Sequence, residues 1–143
     1  MTYLLDTCIV SKIRKKGSPE ALRLREWLAK HDNHSFFISV LTVGELQFGI
    51  DKLQENEKIK SMLQNWLICD LVPSFENRII SIDQHICSIW GKISASAAKK
   101  GITLPMGDAL IAATALKHDL IVVTQNIRHF KGTEARIFDP LDH

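Results

Sequence analysis

The 143-residue sequence predicts an α/β sandwich with a mostly parallel central sheet. Two observations lead to that class. Short apolar, β-favouring runs are separated from one another by segments of helical periodicity, the order expected of strands joined by crossover helices. The run Leu120 to Thr124 is apolar without alternation, as in a strand covered on both faces.

The first predicted strand is Tyr3 to Leu5, ending at Asp6. Ile9, Val10 and Ile13 then carry a helix into the basic run Lys12, Arg14, Lys15, Lys16. Gly17 stops it, and Ser18-Pro19-Glu20 starts the next, because Ser caps and Pro suits the first helical position. Leu24, Trp27 and Leu28 give that second helix one apolar side, and Phe36 to Val40 reads as the second strand.

Thr42 is predicted to open a third helix, with Val43, Leu46, Ile50 and Leu53 at helical spacing. Ile59, Met62, Leu63, Trp66 and Leu67 repeat the pattern in the following segment and are read as core. Arg78 to Ile82 supplies a third strand. Ile86, Ile89, Trp90, Ile93 and Ala97 outline a long helix ending near Gly101. Asp108 begins another helix, whose Ala109, Ala112, Ala113 and Leu116 suit close packing, and Arg136 to Phe138 adds an edge strand after Leu120 to Thr124.

With 45% hydrophobic residues and no repeat or linker composition, the sequence reads as one domain spanning residues 1–143. Its 18 basic and 16 acidic side chains give a net charge of +2, which permits nucleic-acid binding without demanding it. Cys8, Cys69 and Cys87 are odd in number and lack C-x-x-C spacing, so neither a disulfide framework nor a zinc knuckle is suggested. No basic region precedes an apolar run at the amino terminus, and no stretch is long enough to span a bilayer. A soluble, cytoplasmic protein is expected, with no membrane partner.

In parallel α/β sheets the ligand crevice lies beyond the carboxyl ends of the strands. Asp6 ends the first strand, Glu45 lies in the first turn after the second, and Asp108 heads the Ala-rich helix. Each has a purely structural alternative. Acidic residues stabilise helix starts, and Thr42-Val43-Gly44-Glu45 has the pattern of a capping box. Gathered together, however, three carboxylates repel and raise one another's pKa values, a penalty that a hard divalent cation such as Mg²⁺ or Mn²⁺ removes.

The same segments resemble the motifs of PIN-domain nucleases. Leu4-Leu5-Asp6-Thr7-Cys8-Ile9-Val10-Ser11 is similar to the opening motif of that family. Ser39-Val40-Leu41-Thr42-Val43-Gly44-Glu45-Leu46 and Leu104-Pro105-Met106-Gly107-Asp108-Ala109 resemble its second and third acidic motifs. Val122-Val123-Thr124-Gln125-Asn126-Ile127-Arg128-His129-Phe130 resembles its closing motif, with VapC and FitB type toxins as the nearest subgroup.

The resemblance implies a metal-dependent endoribonuclease in which Asp6, Glu45 and Asp108 are the catalytic, Mg²⁺- or Mn²⁺-binding carboxylates. Asn126 occupies the fourth metal position, where many members carry Asp. It further implies the toxin of a type II toxin-antitoxin pair, with RNA (transfer RNA first) as substrate, a cognate antitoxin and a homodimer. Thr7 is a candidate to hydrogen-bond a ligand carboxylate, and Lys12, Arg14, Lys15, Lys16, Arg128, His129 and Lys131 are candidates to flank RNA. A non-catalytic regulatory or binding domain, PIN-like or receiver-like, is the alternative. Against a receiver, Thr7-Cys8 follows Asp6 where an acidic pair would be wanted.

Overall fold

The computed structural model describes residues 1–54 and 56–142. The sheet has five strands, all parallel, in the order β3-β2-β1-β4-β5: β1 is Tyr3–Leu5, β2 Phe36–Ser39, β3 Ile79–Ile80, β4 Ile121–Val123 and β5 Ile137–Phe138. Successive strand residues face opposite sides, so β1 serves both layers at once. Tyr3 and Leu5 join Phe36, Ile38, Ile121 and Val123 in one core; Leu4 joins Val122, Ile111 and Phe130 in the other.

Helices α1 (Thr7–Ile13), α2 (Pro19–Ala29), α3 (Val40–Lys52) and α4 (Glu57–Asn65) contribute to the first layer. Helices α6 (Gln84–Lys99) and α7 (Met106–His118) form the second, with the one-turn α5 (Val72–Ser74) preceding β3. The α/β/α sandwich read from the sequence is therefore present, with a sheet that is wholly parallel.

Local chemistry explains most boundaries. Ser18 accepts from the Ala21 amide at 3.3 Å and Pro19 is the first residue of α2, as expected. The Arg25 guanidinium donates to the carbonyls of Ile13 (2.7 Å) and Lys15 (3.2 Å), satisfying the end of α1. Trp27 of α2 packs edge-on to Tyr3 at 5.3 Å and also meets Phe36 and Phe138, so three strands share one aromatic anchor. On α7, Ala109, Ala112 and Ala113 are fully buried, as the small-residue face predicted, whereas Leu116 of the same predicted face is 36% exposed.

Four expectations need correction. Thr42 does not open α3: Ser39 does, accepting from the Leu41 amide at 3.0 Å, so β2 ends one residue before Val40 and no Thr42–Glu45 capping box forms. Helix α7 begins at Met106 behind Pro105, and Asp108 is its third residue. The third strand shrinks from Arg78–Ile82 to two residues. Ile59 and Met62 are 44% and 61% exposed: α4 rides on α3 at the border of the layer, and Leu63 supplies its packed face. Beyond α4 the chain widens into a π-helical segment, Trp66–Leu71, where the Val72 amide reaches back to Leu67 and Pro73 has no N–H to continue the regular ladder.

Because Leu4 and Leu5 anchor opposite layers and are 0% and 1% exposed, Leu4→Ala and Leu5→Ala are each expected to lower unfolding free energy by roughly 2–5 kcal/mol. Urea unfolding measures both; a loss below about 1 kcal/mol at either position would contradict the two-layer assignment of β1.

Candidate active site

The chain places β1, then β2 and β3 on one side of it, then β4 and β5 on the other. The point where strand order reverses lies between β1 and β4, and there the segments beyond the strands diverge and leave a crevice. Asp6 stands directly in it. Its backbone amide bonds the Val123 carbonyl at 3.0 Å, fixing the residue to the end of β4.

Asp6 is only 5% exposed, so its charge needs donors. Oδ1 accepts from the Thr7 amide at 2.8 Å, which makes Asp6 the N-cap of α1. Oδ2 accepts from the Thr124 hydroxyl at 2.7 Å and from the Cys8 thiol at 3.4 Å. Cap and site residue are thus one residue, not competing roles. Burial, and next the Asp6 charge, push the Cys8 thiol above its ordinary pKa, so Cys8 is a packed, protonated donor and not a nucleophile.

Glu45 projects from α3 toward the same place. The Thr7 hydroxyl lies 2.7 Å from Glu45 Oε1 and 3.0 Å from the buried Thr42 Oγ1. Oε2 is 3.7 Å from where a Cβ on Gly107 would sit, so the carboxylate lies against the start of α7, one residue from Asp108. That start overhangs the strand ends because only Asp119 and Leu120 join α7 to β4, which reverses the chain direction.

Desolvation is the main reason that both Glu45 and Asp108 have raised pKa values. The Thr7 hydrogen bond opposes the rise at Glu45; Asp6 and Asp108 reinforce it. Asp6 reinforces it at Asp108, and His129, whose Nδ1 is 3.1 Å from Asp108 Oδ2, opposes it. The Asp6 charge therefore reaches both of the other predicted carboxylates, and that of Asp108 reaches Glu45. Among the described residues they do not close into a ready-made set of three ligands around one point. All-oxygen donors, mutual repulsion and raised pKa values nevertheless fit a hard divalent cation.

Asn126 is exposed; its amide donates to Thr124 Oγ1 at 3.0 Å, and its side chain caps nothing in the 3₁₀ turn Ile127–Phe130. Of the basic run, Lys12 is engaged by Glu20 at 3.1 Å and by Gln125, while the Arg14 guanidinium lies 5.6 Å from the Trp66 ring centroid. Two contributors escape the sequence reading. Thr124 reads there only as the end of an apolar strand, although its place in the closing motif is a signal. His129 is one of several basic residues, and only its fold-back onto Asp108 separates it from them.

Together these features define a class: parallel α/β sandwiches with an acidic crevice at the topological switch point. Within it, the chain belongs to the PIN domain family, whose model matches residues 3–134. It is similar to Toxin FitB of Neisseria gonorrhoeae, at 31% identity over 137 residues and 96% of each chain. It is also similar to the tRNA(fMet)-specific endonuclease VapC of Salmonella typhimurium, at 28% over 133 residues, 92% of this chain and 91% of the relative.

The crystal structure of FitAcB from Neisseria gonorrhoeae superposes with a TM-score of 0.91 at 30% identity, over 99% of this chain and 100% of that one. VapBC2 from Rickettsia felis, solved bound to a DNA fragment from their promoter, superposes at 0.73 with 26% identity, over 96% and 98%. Family membership displaces the receiver-like alternative.

Two outcomes are expected from this geometry. Thr124→Val keeps the shape but removes a donor to a buried carboxylate and an acceptor for the Asn126 amide; it should cost about 1–3 kcal/mol in urea unfolding. The second concerns pH. A carboxyl whose folded pKa is raised binds protons more readily when folded, so its contribution to stability falls as pH rises from its ordinary value through the raised one. The double variant Glu45→Gln, Asp108→Asn should accordingly melt above metal-free wild type at about pH 7. The gain should be no more than about 1 kcal/mol, since both side chains stay within reach of water, and should disappear toward about pH 4.

Proposed function

We propose that this chain, as a single PIN-like domain over residues 1–143, is a Mg²⁺- or Mn²⁺-dependent endoribonuclease and the toxin of a type II toxin-antitoxin pair. The observation that carries the reading is the approach of Asp6, Glu45 and Asp108, from three different elements, to the switch-point crevice, where the Asp6 charge adds to the raised pKa values of the other two. Their proposed role is metal binding and catalysis, with Asn126 at the rim as a weaker, neutral contributor. A divalent cation bound there supplies Lewis-acid activation of water and neutralises charge developing on the phosphodiester.

The residues of the chain do the positioning. Thr124 and the Thr7 amide fix the two Asp6 oxygens in the plane they occupy, and the Thr7 hydroxyl holds Glu45 toward the α7 start. Asp6 and the fully buried Thr124 floor the crevice. No side-chain nucleophile is required, in keeping with a protonated Cys8.

Support for RNA, with transfer RNA first, comes from the activity named for the Salmonella relative, and support for a toxin comes from the name of the Neisseria one. A cognate antitoxin is proposed as partner, and the two-component VapBC2 assembly is the support. The proposed homodimer rests on family resemblance. Trp66 and Trp90, the apolar side chains on long helices that could serve a dimer, both pack partly against the two cores. No helix among the described residues is long and apolar enough to cross a membrane, and a cytoplasmic location is part of the proposal.

Asp6→Asn, Glu45→Gln and Asp108→Asn test the site. Asn caps helices as well as Asp, and a rotated Thr124 hydroxyl can accept from the side-chain amide that the first substitution introduces, so the fold should survive. Each variant is expected to lose at least about tenfold in cleavage of cellular RNA with Mg²⁺ or Mn²⁺, and to lose the rise in melting temperature that the metal gives wild type. Full cleavage by Asp6→Asn and Asp108→Asn would overturn the assignment. Growth arrest on expression of the chain alone, relieved by an adjacent small partner, tests the toxin role. Light scattering of the purified protein tests the dimer, which a monomeric mass would reject.

A further inference from the structure

Among the described residues Phe48 is the one Phe, Tyr or Trp side chain left exposed, at 64%; all the others are at least partly packed. A single exposed apolar side chain is ordinary on a surface, and what distinguishes Phe48 is the row it belongs to. Residues three and four apart share a helix face, so Leu41, Glu45, Phe48 and Lys52 form one row along α3. The first two reach the start of α7: Leu41 Cδ2 and Glu45 Oε2 lie 3.8 and 3.7 Å from where a Cβ on Gly107 would sit. The next two continue past it. Phe48 stands about one turn beyond Glu45, roughly 5 Å farther along the axis, beside the crevice that Glu45 enters.

The helix surface next to the ring is bare. Helical side chains lean toward the helix start, so Phe48 leans over the turn that holds Gly44 and Glu45. Nothing lies within 4 Å of where a Cβ on Gly44 would be. Glycine inside a helix is destabilising relative to Ala, and no contact within the chain accounts for the bare backbone at this position. Lys52 leans over Phe48 in turn, with its ammonium 5.7 Å from the ring centroid.

Resting on the ribonuclease reading above, we propose that Phe48 is a substrate-binding residue: its ring stacks on an unpaired base of RNA beside the phosphate held at Asp6, Glu45 and Asp108, and the Lys52 ammonium meets a phosphate of the same strand. The chemistry selects this partner. A single strand alternates flat apolar bases with phosphates, and the row alternates an aromatic ring with a cation. In a duplex both faces of a base are covered by its neighbours, so the platform favours unpaired nucleotides. Because Glu45 belongs to the row, whatever lies along it also lies next to the acids. A second copy of the chain is the other partner an exposed ring could serve, and the test separates the two.

Binding is measured apart from cleavage. A fluorescein-labelled single strand of about twelve ribonucleotides, and an abasic twin that keeps its sugar–phosphate chain, are titrated by anisotropy with Ca²⁺ in place of Mg²⁺. Wild type should prefer the strand with bases by at least about fivefold. Phe48→Ala and Phe48→Leu should bind that strand at least about fivefold more weakly and the abasic twin as wild type does, whereas Phe48→Trp should keep the preference. The ring is exposed, so none of these changes opens a cavity in either core. Lys52→Gln should weaken both strands alike and make the slope of log affinity against log salt shallower by about 0.7, while Phe48→Ala leaves that slope unchanged.

Undiminished binding by Phe48→Ala, equal loss on both strands, or wild type without a preference for bases would each overturn the inference. Full affinity in Phe48→Leu would overturn the stacking, since apolar bulk alone would then suffice, and an unchanged slope in Lys52→Gln would overturn the role of Lys52. A wild-type dimer that Phe48→Ala turns into a monomer by light scattering would also overturn it, because the ring would then be a contact between copies. Failure of the ribonuclease reading is separate and visible: RNA would stay intact in Mg²⁺ while the binding comparison remained readable.

Discussion

A carboxylate buried to the extent of Asp6 must be met by hydrogen-bond donors or lose its charge, and the crevice is organised around that requirement. The Thr124 hydroxyl, the Thr7 amide and the Cys8 thiol supply them from the end of β4 and the first turn of α1. Those donors exist where they do because β1 and β4 are hydrogen-bonded neighbours in the sheet, in register from Tyr3–Ile121 to Leu5–Val123. Sheet register thus sets the position of one hydroxyl, and that hydroxyl sets the orientation of the central carboxylate. Thr7 extends the arrangement outward: its amide serves Asp6 while its hydroxyl serves Glu45, so one residue aligns two acids.

The electrostatics of the crevice follow from where the nearby cations go. Lys12 is occupied by Glu20 and Gln125, Arg14 rests against Trp66, and Arg25 serves the end of α1. Among the described residues, only His129 approaches an acid of the site. Desolvation raises the pKa values of Glu45 and Asp108, the neighbouring carboxylates add to the rise, and no Lys or Arg among the described residues offsets it, a cost to the metal-free protein. Acidic pairs placed for structure are normally relieved by a Lys or Arg; here the sequence has 18 of them, and none among the described residues pairs with an acid of the crevice.

The architecture is readable from the sequence because strands and helices differ in apolar period. The Ser18-Pro19 start, the alanine face of α7 and the apolar β4 run all reflect local chemistry that needs no partner. Boundaries are less legible where two residues compete for one role. The sequence reading takes Thr42 as the cap, whereas Ser39 holds that role and Thr42 is fully buried beneath Thr7 and hydrogen-bonded to it, a contact 35 positions apart. The three acids are legible as residues at chain turns, but their coupling depends on sheet order. Thr124 and His129 acquire meaning only through Asp6 and Asp108, the first pair 118 positions apart and the second also beyond the reach of any local pattern.

The neutral residue at position 126 takes its sense from the same balance. Three carboxylates carry about −3 when ionised, and a divalent cation leaves about −1 for an approaching polyanion to overcome. A fourth carboxylate at the exposed rim would make that about −2 and would want a second cation before RNA could enter. Asn126 avoids this demand while its backbone amide still secures Thr124, and through Thr124 it steadies Asp6. The closing motif therefore contributes twice without adding charge: Thr124 and Asn126 fix the acid at the floor of the crevice, and His129 meets the acid at its edge. On the proposed reading, a rim without a fourth carboxylate leaves about one unit less of negative charge for RNA to meet once a cation is bound.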